Sequence, residues 1–208
     1  MSHASQSALA LALGASTLYE ASGLPCALDP AIRPVWTGAA VAAPAYPVRC
    51  SPGDNLAIHL AVERAPRGSV LVVTTDDFLA GYWGEVLTVA AEAAGIVGLV
   101  IDGGVRDVAA MARRRFPVFS RGISVCGTIK ASVPSVGQQI LMTGVQIAAG
   151  DMVVADEDGV VVLPSARIDD ILAAGEARSQ KEADFMARLA RGETTVDLLG
   201  LSAWRASV

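Results

Sequence analysis

Opposite charges lie between an apolar strand and a basic helix in the segment IDGGVRDVAAMARRR, residues 101–115. Arg106 carries a forked guanidinium that is always charged and suits carboxylates. Asp107, its neighbour, offers the hard oxygen ligands that Mg²⁺ prefers. Two interpretations stay open: the residues build a pocket for an anion and a metal, or the two charges cap a helix and pair with each other.

A second loop of similar character is DDFLAGYWGE, residues 76–85. It ends at Gly84 and Glu85, where the sequence predicts the start of a helix. N–H groups in a first helical turn have no intrahelical acceptor, so those of Glu85, Val86 and Leu87 can hold a small carboxylate. The pattern therefore predicts an anion cradle next to the first loop.

Asn55 and His59 form another candidate group, because an i, i+4 spacing puts both on one face of a helix. A single histidine is more commonly structural, and only the partnership with Asn55 indicates a site role. Tyr82 and Trp83, in the second loop, are candidates for lining a pocket. An aromatic pair in a loop packs into the core at least as often.

Strands alternate with helices in the centre of the chain, which predicts βαβ crossovers and a parallel sheet. The strands are predicted at residues 69–75, 97–102 and 117–122, and the helices between them at 84–94 and 107–115. Ligands bind beyond the carboxyl ends of the strands in such a sheet. Both charged loops follow strand ends, so we expect them to meet there.

The first third of the chain contains two predicted helices separated by irregular chain. Residues 5–21 have helical periodicity, residues 23–38 are a proline-rich connection, and residues 39–50 form an extended segment broken by prolines. Residues 51–66 open with turn residues and continue as a helix that ends before Pro66.

The second half of the chain has a different pattern. Residues 145–164, VQIAAGDMVVADEDGVVVLP, predict two strands joined by a turn at 156–159. Ser165 is predicted to cap a long helix that runs to Arg191 and stops at Gly192. The fold class is therefore α/β: one domain over residues 1–208, with a parallel βαβ part and a β-rich, antiparallel or barrel-like second layer.

Composition limits the possible partners. The chain has 208 residues, 52% apolar and 5% aromatic, with a net charge of -5. Acidic balance argues against nucleic acid as a partner, and we find no apolar segment long enough to span a membrane. High apolar content suggests that some surface is buried between subunits. Three distant cysteines suit reduced thiols and a cytoplasmic location.

Several familiar sites are absent from the sequence. It contains no G-x-G-x-x-G, no P-loop, no H-E-x-x-H and no C-x-x-C motif, which argues against dehydrogenase, nucleotide-hydrolase and zinc-protease classes. A Schiff-base mechanism requires a lysine, and the chain has only Lys130 and Lys181. Lys181 lies on an exposed helix face and we expect Lys130 to be structural, so this mechanism is disfavoured.

The chain resembles the family that contains the regulator of ribonuclease activity A and the class II pyruvate aldolases. The resemblance covers nearly the full length and is carried by LDPAIRP, PGDNLAIH, WGEVLTVAA, GLVIDGGVRD, PVFSRGI, GTIK, GDMVVADEDGVVVLP and GETTVDLLGL. It implies a swivelling β/β/α fold assembled as trimers or hexamers. It also implies that the partner molecule is a small 2-oxo acid.

The resemblance implies a role for each matching residue. Asp107 would ligate Mg²⁺ or Mn²⁺, and Arg106 would donate to the keto oxygen of the substrate. Glu85, which stands where the aldolases often have Asp, would hold the metal's water shell together with Glu20, and Glu182 would reach in from a neighbouring subunit; no local pattern marks Glu20 or Glu182.

The remaining matches imply contacts with the substrate. Gly84 and the backbone of Val86 and Leu87 would cradle the substrate carboxylate, and Asn55 and His59 would occupy further site positions. The base would be a water of the metal shell near Glu85.

The expected activity is cleavage of 4-hydroxy-4-methyl-2-oxoglutarate or 4-carboxy-4-hydroxy-2-oxoadipate to pyruvate and a second oxo acid. Oxaloacetate decarboxylation is expected as a side activity, since it generates the same enolate. Two alternatives stay open: a non-enzymatic protein that binds an RNA-degrading enzyme, and an enzyme for another 2-oxo acid.

Overall fold

The computed structural model describes residues 1–132 and 135–207, and in that part the chain forms eleven strands and seven α-helices. The strands are β1 (Arg33–Pro34), β2 (Val41–Arg49), β3 (Val70–Thr74), β4 (Gly81–Trp83), β5 (Gly98–Val105), β6 (Val118–Ile123), β7 (Ser135–Val136), β8 (Ile140–Met142), β9 (Val145–Ile147), β10 (Met152–Ala155) and β11 (Val160–Leu163). The helices are α1 (His3–Leu13), α2 (Ala15–Ser22), α3 (Leu56–Arg64), α4 (Glu85–Ala94), α5 (Val108–Arg114), α6 (Ile168–Ala190) and α7 (Thr195–Leu198).

One mixed sheet of nine strands organises the described residues. Its main path has the order β1-β6-β5-β3-β2-β10-β11, with β4 beside the end of β5 and β7 beside the end of β2. Neighbours from β2 through β3 and β5 to β6 are parallel, whereas β1, β7, β10 and β11 pair antiparallel. The predicted parallel βαβ part is thus confirmed.

The sheet is nearly closed by the chain between α2 and β1. Ala27 forms a bridge with Val161 of β11, and the Leu28 N–H donates to the Val160 carbonyl over 2.9 Å. A few residues later, β1 pairs with β6 at the opposite edge. The β-rich part is therefore a continuation of the same sheet, and among the strands that the structure describes only the β8–β9 hairpin stands apart from it.

Three apolar clusters pack against this sheet. One lies under α3, α4 and α5, a second fills the interior that the β8–β9 hairpin covers, and a third packs β10 and β11 against α1, α2 and α6. Every residue of β3 and β5 is buried. Strands covered on both faces lack polar alternation, which explains their continuous apolar sequences.

β5 is longer than predicted, because residues 103–105 continue the strand past Asp102. A Cβ at Gly103 would meet Thr75 Oγ1 at 2.7 Å, and one at Gly104 would meet the Ala80 carbonyl oxygen at 2.6 Å. These glycines allow the chain after β3 to approach β5 closely. The loop predicted at 102–107 is therefore reduced to Arg106 and Asp107.

Four other local predictions need correction. Residues 5–21 form two helices instead of one, since Gly14 has a φ of 80° and separates α1 from α2. Residues 39–50 contain an unbroken strand, β2, which its prolines do not interrupt. Pro44 is the last residue in register with β10 and precedes the first residue in register with β3. Pro47 lies beyond the residues that pair with β10. Residues 145–164 contain three strands, because a turn at 148–151 separates β9 from β10; the turn at 156–159 is confirmed.

The fourth correction concerns Ser165, which does not cap α6. Its N–H donates to Asp151 Oδ1 over 3.0 Å, and residues 165–167 form a 3₁₀ turn before α6 begins at Ile168. The end of the helix at Arg191 and Gly192 agrees with the prediction. Among the described residues, no helix combines the length and the apolar character required to cross a bilayer.

Candidate functional site

Two loops leave the sheet side by side at the ends of β4 and β5. Trp83 is in parallel register with Val105, and the Arg106 N–H donates to the Trp83 carbonyl over 2.8 Å. The next residues of each strand are Gly84 with Glu85, and Arg106 with Asp107. The predicted meeting of the two loops is confirmed by this pairing.

Asp107 joins the two loops. Its Oδ2 accepts a hydrogen bond of 2.9 Å from the Glu85 N–H, the first N–H of α4. The residue has a φ of 60°, a left-handed conformation that Asp tolerates better than most residues and that turns the chain sharply from β5 into α5. Asp107 therefore accepts a hydrogen bond from the first turn of α4 and itself starts α5.

Gly84 is required for this arrangement. A Cβ on Gly84 would collide with Asp107 Oδ2 and lie 3.1 Å from Arg106 Cγ. Gly81 is crowded in the same way, since a Cβ there would lie 3.2 Å from Arg106 Cδ. The Arg106 side chain thus extends across two glycines, which leave room for it along the floor of the site.

The N-terminal end of α3 forms the opposite wall. Asn55 is buried and its Nδ2 donates to the Tyr82 carbonyl over 3.0 Å. Asn55 Oδ1 and His59 Nε2 are buried side-chain atoms without a hydrogen-bond partner in the described residues. Burial, followed by the charge of Lys130, lowers the pKa of His59. These orphaned atoms indicate that a ligand completes this wall.

The third wall is the segment 127–130, which the sequence did not predict. Ile129 exchanges backbone hydrogen bonds with residues on either side of Asp54, at 2.9 and 3.0 Å. Asp54 Oδ2 also accepts from the N–H groups of Ala131 and Ser132, each over 2.7 Å. These contacts fasten the segment to the start of α3. Lys130, expected to be structural, therefore lies in the wall of the site.

Together the three walls enclose a cavity of about 250 Å³. It is lined by Asn55, His59, Gly81, Tyr82, Gly84, Val86, Leu87, Arg106, Asp107, Gly127, Thr128 and Lys130. Seven predicted site residues are among them: Asn55, His59, Gly84, Val86, Leu87, Arg106 and Asp107. Two cationic side chains and one carboxylate face a space suited to a small anion.

Glu85 is the exception within the loops. Its N–H contacts Asp107, but its side chain does not line the cavity and its Oε1 lies 3.4 Å from Arg114 Nε on α5. Glu20 and Glu182 do not line the cavity of their own chain either, since both form ion pairs with Arg178 of α6. The structure thus brings none of the three predicted glutamates to this cavity.

The aromatic pair Tyr82 and Trp83 packs into the core. Both side chains are fully buried. Trp83 stacks on Phe116 with the ring centroids 6.0 Å apart, and its indole N–H donates to Thr88 Oγ1 over 2.8 Å. Packing is therefore the correct interpretation for Trp83, whereas Tyr82 packs in the core and also lines the cavity.

Asp102 supports the site from behind. It is buried, which raises the pKa of its carboxyl group, and it accepts hydrogen bonds of 2.6 Å from both Thr74 Oγ1 and the Thr75 N–H. Arg121 Nε donates to its backbone carbonyl over 3.1 Å. Asp102 therefore ties the end of β3 to β5 beneath the two loops and does not face the cavity.

The carboxylate of Asp107 fits a divalent cation that is bound by one protein ligand together with waters and substrate. Within residues 1–132 and 135–207, no cluster of three or more His, Cys, Asp or Glu side chains could hold a metal. Asp107 Oδ1 has no hydrogen bond in that part of the chain, so one carboxylate oxygen is available beside the cavity. Mg²⁺ commonly keeps several waters and binds through one or two carboxylates plus its substrate.

A family model described as "RraA-like: Aldolase/RraA" matches residues 15–162. Among curated proteins, the "Putative 4-hydroxy-4-methyl-2-oxoglutarate aldolase" of Halalkalibacterium halodurans is 33% identical over 162 residues, which are 77% of this chain and 76% of the relative. The region that the family model matches contains both loops, α3 and the segment 127–130.

The fold is similar to those of several solved structures. One is an uncharacterized protein from Pseudomonas syringae pv. tomato, with a TM-score of 0.78, 28% identity, and coverage of 89% of this chain and 90% of the other. Another is the RNA-processing inhibitor RraA from Thermus thermophilis, with a TM-score of 0.61, 25% identity, and coverage of 66% and 84%.

Proposed function

Because the chain belongs to the RraA-like (Aldolase/RraA) family, we propose that it is a metal-dependent aldolase of 4-hydroxy-2-oxo acids. The substrates would be acids such as 4-hydroxy-4-methyl-2-oxoglutarate or 4-carboxy-4-hydroxy-2-oxoadipate, and the products pyruvate and a second oxo acid. The observation that carries the proposal is the arrangement of Arg106 and Asp107 against Gly84 and the first turn of α4.

The first turn of α4 suits the carboxylate of the pyruvyl group. Val86 and Leu87 line the cavity, and their N–H groups lie at the positive end of the helix dipole. Arg106, held across Gly81 and Gly84, would donate to the 2-oxo oxygen. Charge develops on that oxygen as the enolate forms, so a fixed donor lowers the barrier.

Cleavage also requires a hydrogen-bond acceptor at the C4 hydroxyl. As the hydroxyl gives its proton to the water that we expect to act as base, the C3–C4 bond breaks. The electron pair of that bond forms the pyruvate enolate, which is later protonated at C3. Asn55 Oδ1 and His59 Nε2 are the acceptors without partners in this wall. We assign them to orienting the hydroxyl.

Lys130 provides a second cation that a simple 2-oxo monocarboxylate would not need. The named substrates carry a further carboxylate on C4, and a buried or half-buried carboxylate requires a counter-charge. Lys130 lies next to His59 in the cavity wall. We therefore assign it to the distal carboxylate, which would make the enzyme selective for dicarboxylic substrates.

Asp107 would hold the divalent cation, Mg²⁺ or Mn²⁺. When bound, the cation supplies Lewis-acid polarisation of the 2-oxo acid. Oxaloacetate would be decarboxylated as a side reaction, since loss of CO₂ leaves the same enolate for Arg106 to stabilise.

We also propose a homotrimer or homohexamer in which Glu182 enters a neighbouring site. Exposed apolar side chains occur within and shortly before the cavity-lining segment 127–130, at Ile123, Val125 and Ile129, with 66%, 87% and 64% of their surface accessible. Glu20 and Glu182, joined through Arg178, would reach the cation's surroundings from another subunit. The three free cysteines suit the cytoplasm, where we place the protein.

The test is pyruvate release, coupled to an NADH-consuming dehydrogenase, with oxaloacetate and both branched hydroxy-oxo acids. Each is assayed with Mg²⁺ and then with EDTA. We expect Mg²⁺-dependent release that EDTA abolishes. No release of pyruvate from any of the three substrates would contradict the assignment.

A second candidate function is regulation of an RNA-degrading enzyme by binding, which the similarity to the Thermus inhibitor favours. It predicts no turnover and capture of a ribonuclease that survives the Asp107→Asn change. The aldolase proposal predicts the opposite on both counts.

A further inference from the structure

We propose that Arg114 is a latch for Glu85, so that the ion pair between them competes with the divalent cation and sets its affinity. The inference rests on the proposed metal dependence and adds a residue to it. Arg114 is a positioning residue in this account, because it would act only through Glu85.

The latch lies on the outer side of the helix pair. Arg114 is in the last turn of α5, the helix that Asp107 starts, and Glu85 is the first residue of α4. Arg114 Nε lies 3.4 Å from Glu85 Oε1. The two ends of α5 therefore hold Glu85 twice, through its N–H at Asp107 and through its side chain at Arg114.

The ion pair with Arg114 accounts for the position of the Glu85 carboxylate outside the cavity. The backbone of Glu85 is part of the site, since its N–H donates to Asp107. Its side chain does not line the cavity, although the neighbouring residues Gly84 and Val86 do. Three rotatable bonds separate its carboxylate from the backbone, so the group could turn toward Asp107 without movement of α4.

Glu92 keeps Arg114 in place when Glu85 leaves. Arg114 Nη1 donates to Glu92 Oε2 over 2.8 Å, a shorter contact than the one to Glu85. Glu85 and Glu92 are seven residues apart on α4, so both occur on the same helix face. Arg114 retains one partner after the exchange and does not become an unpaired charge.

The exchange costs little energy. The side chains of Arg114 and Glu85 are 36% and 45% exposed, and exposed ion pairs contribute only about 0–1 kcal/mol. A divalent cation at Asp107 attracts a carboxylate more strongly than one screened guanidinium does. The pair would therefore form in the metal-free protein and open as the cation binds.

The experiment is a titration of the metal-free, full-length protein with Mn²⁺, followed by calorimetry and by the loss of the free-ion EPR signal. We compare the unmodified protein with Arg114→Gln, Arg113→Gln and Glu85→Gln, and with the double variant of Arg114 and Glu85. Arg113→Gln is the matched control, since Arg113 lies on the same helix and the substitution removes the same charge.

We expect Arg114→Gln to tighten Mn²⁺ binding by roughly threefold to fivefold. Arg113→Gln should stay within about twofold of the unmodified protein, and Glu85→Gln should abolish the gain from Arg114→Gln. A residue that merely braced α5 would lower the melting temperature and leave or weaken the affinity.

Failure of the latch and failure of the proposed metal dependence give different results in this titration. Unchanged or weaker Mn²⁺ binding by Arg114→Gln, or an equal gain in the Glu85→Gln background, would overturn the latch alone. An unmodified protein that binds no Mn²⁺ would overturn the latch and the proposed metal dependence together.

Discussion

The Glu85 N–H donates to Asp107 Oδ2 over 2.9 Å, and this bond connects the first turn of α4 to the turn that starts α5. The two residues are 22 positions apart in the chain. Parallel pairing of β4 with β5 brings them together, because both strands end at the same edge of the sheet. The site is therefore fixed by the sheet, and both loops are short.

Gly84→Ala should damage the site without changing the backbone conformation. Gly84 has a φ of -159°, which any residue adopts, but its new Cβ would collide with Asp107 and crowd Arg106. We expect at least a tenfold loss of kcat/KM and a destabilisation of about 1–3 kcal/mol. Gly122→Ala is the control, since Gly122 does not line the cavity and its Cβ would meet only the flexible Leu79 side chain, at 3.3 Å. Equal activity in the two variants would contradict the packing argument.

Arg106→Gln should lower kcat for pyruvate formation by about 10²–10³, the usual effect of removing a donor to a developing oxyanion. Arg106→Lys should recover only part of the rate, because an ammonium lacks the planar fork. Steady-state kinetics of both variants check this. A kcat close to that of the unmodified protein in Arg106→Gln would remove Arg106 from the reaction.

Lys130→Gln should separate binding of the distal carboxylate from enolate chemistry. We expect KM for 4-hydroxy-4-methyl-2-oxoglutarate to rise about tenfold, equivalent to one charge-assisted hydrogen bond. Exchange of the pyruvate C3 protons with deuterium, followed by NMR, needs no distal carboxylate and should be unchanged. A parallel loss of both activities would mean that Lys130 acts on the pyruvyl end.

Asp54 should make stability depend on pH in the acid range. The Leu56 N–H, followed by those of Ala131 and Ser132, lowers the pKa of the Asp54 carboxyl from 3.8 to about 2. A lowered folded-state pKa stabilises the protein above the unfolded-state value, and this contribution is lost as pH falls from about 4 to about 2.

Urea unfolding across that range checks the Asp54 prediction. The free energy of unfolding of the unmodified protein should converge toward that of Asp54→Asn as the pH falls. Asp170→Asn, a change at an exposed position on α6, is the control. A difference between the unmodified protein and Asp54→Asn that is constant with pH would contradict the role of the ionised carboxylate.

The sequence predicted that the two loops meet because each follows an apolar strand of one parallel sheet. It missed β4, which lies inside the predicted loop 76–85 and whose pairing with β5 aligns Gly84 and Glu85 with Arg106 and Asp107. Lys130 was missed for a non-local reason: it follows Arg106 by more than twenty residues, and only the backbone pairing of Ile129 around Asp54 returns it to the site. The Glu85 side chain was misplaced because its direction depends on Arg114, which lies on another helix.

The Ser165 prediction failed because the helix starts later than the local pattern indicates. The Arg167 N–H donates to the Pro164 carbonyl over 2.9 Å, so residues 165–167 form a 3₁₀ turn and α6 begins only at Ile168. By contrast, the end of α6 was predictable, since Gly192 takes the positive φ that ends a helix without strain.

Asp107 should make turnover depend on a divalent cation. The most direct measurement compares Mg²⁺-supported pyruvate release from 4-hydroxy-4-methyl-2-oxoglutarate by the unmodified protein and by Asp107→Asn. Asn retains an acceptor for the Glu85 N–H and tolerates the left-handed backbone, so the fold should persist. We expect Asp107→Asn to lose Mg²⁺-dependent turnover with a nearly unchanged melting temperature. Turnover retained in Asp107→Asn would contradict this role of Asp107.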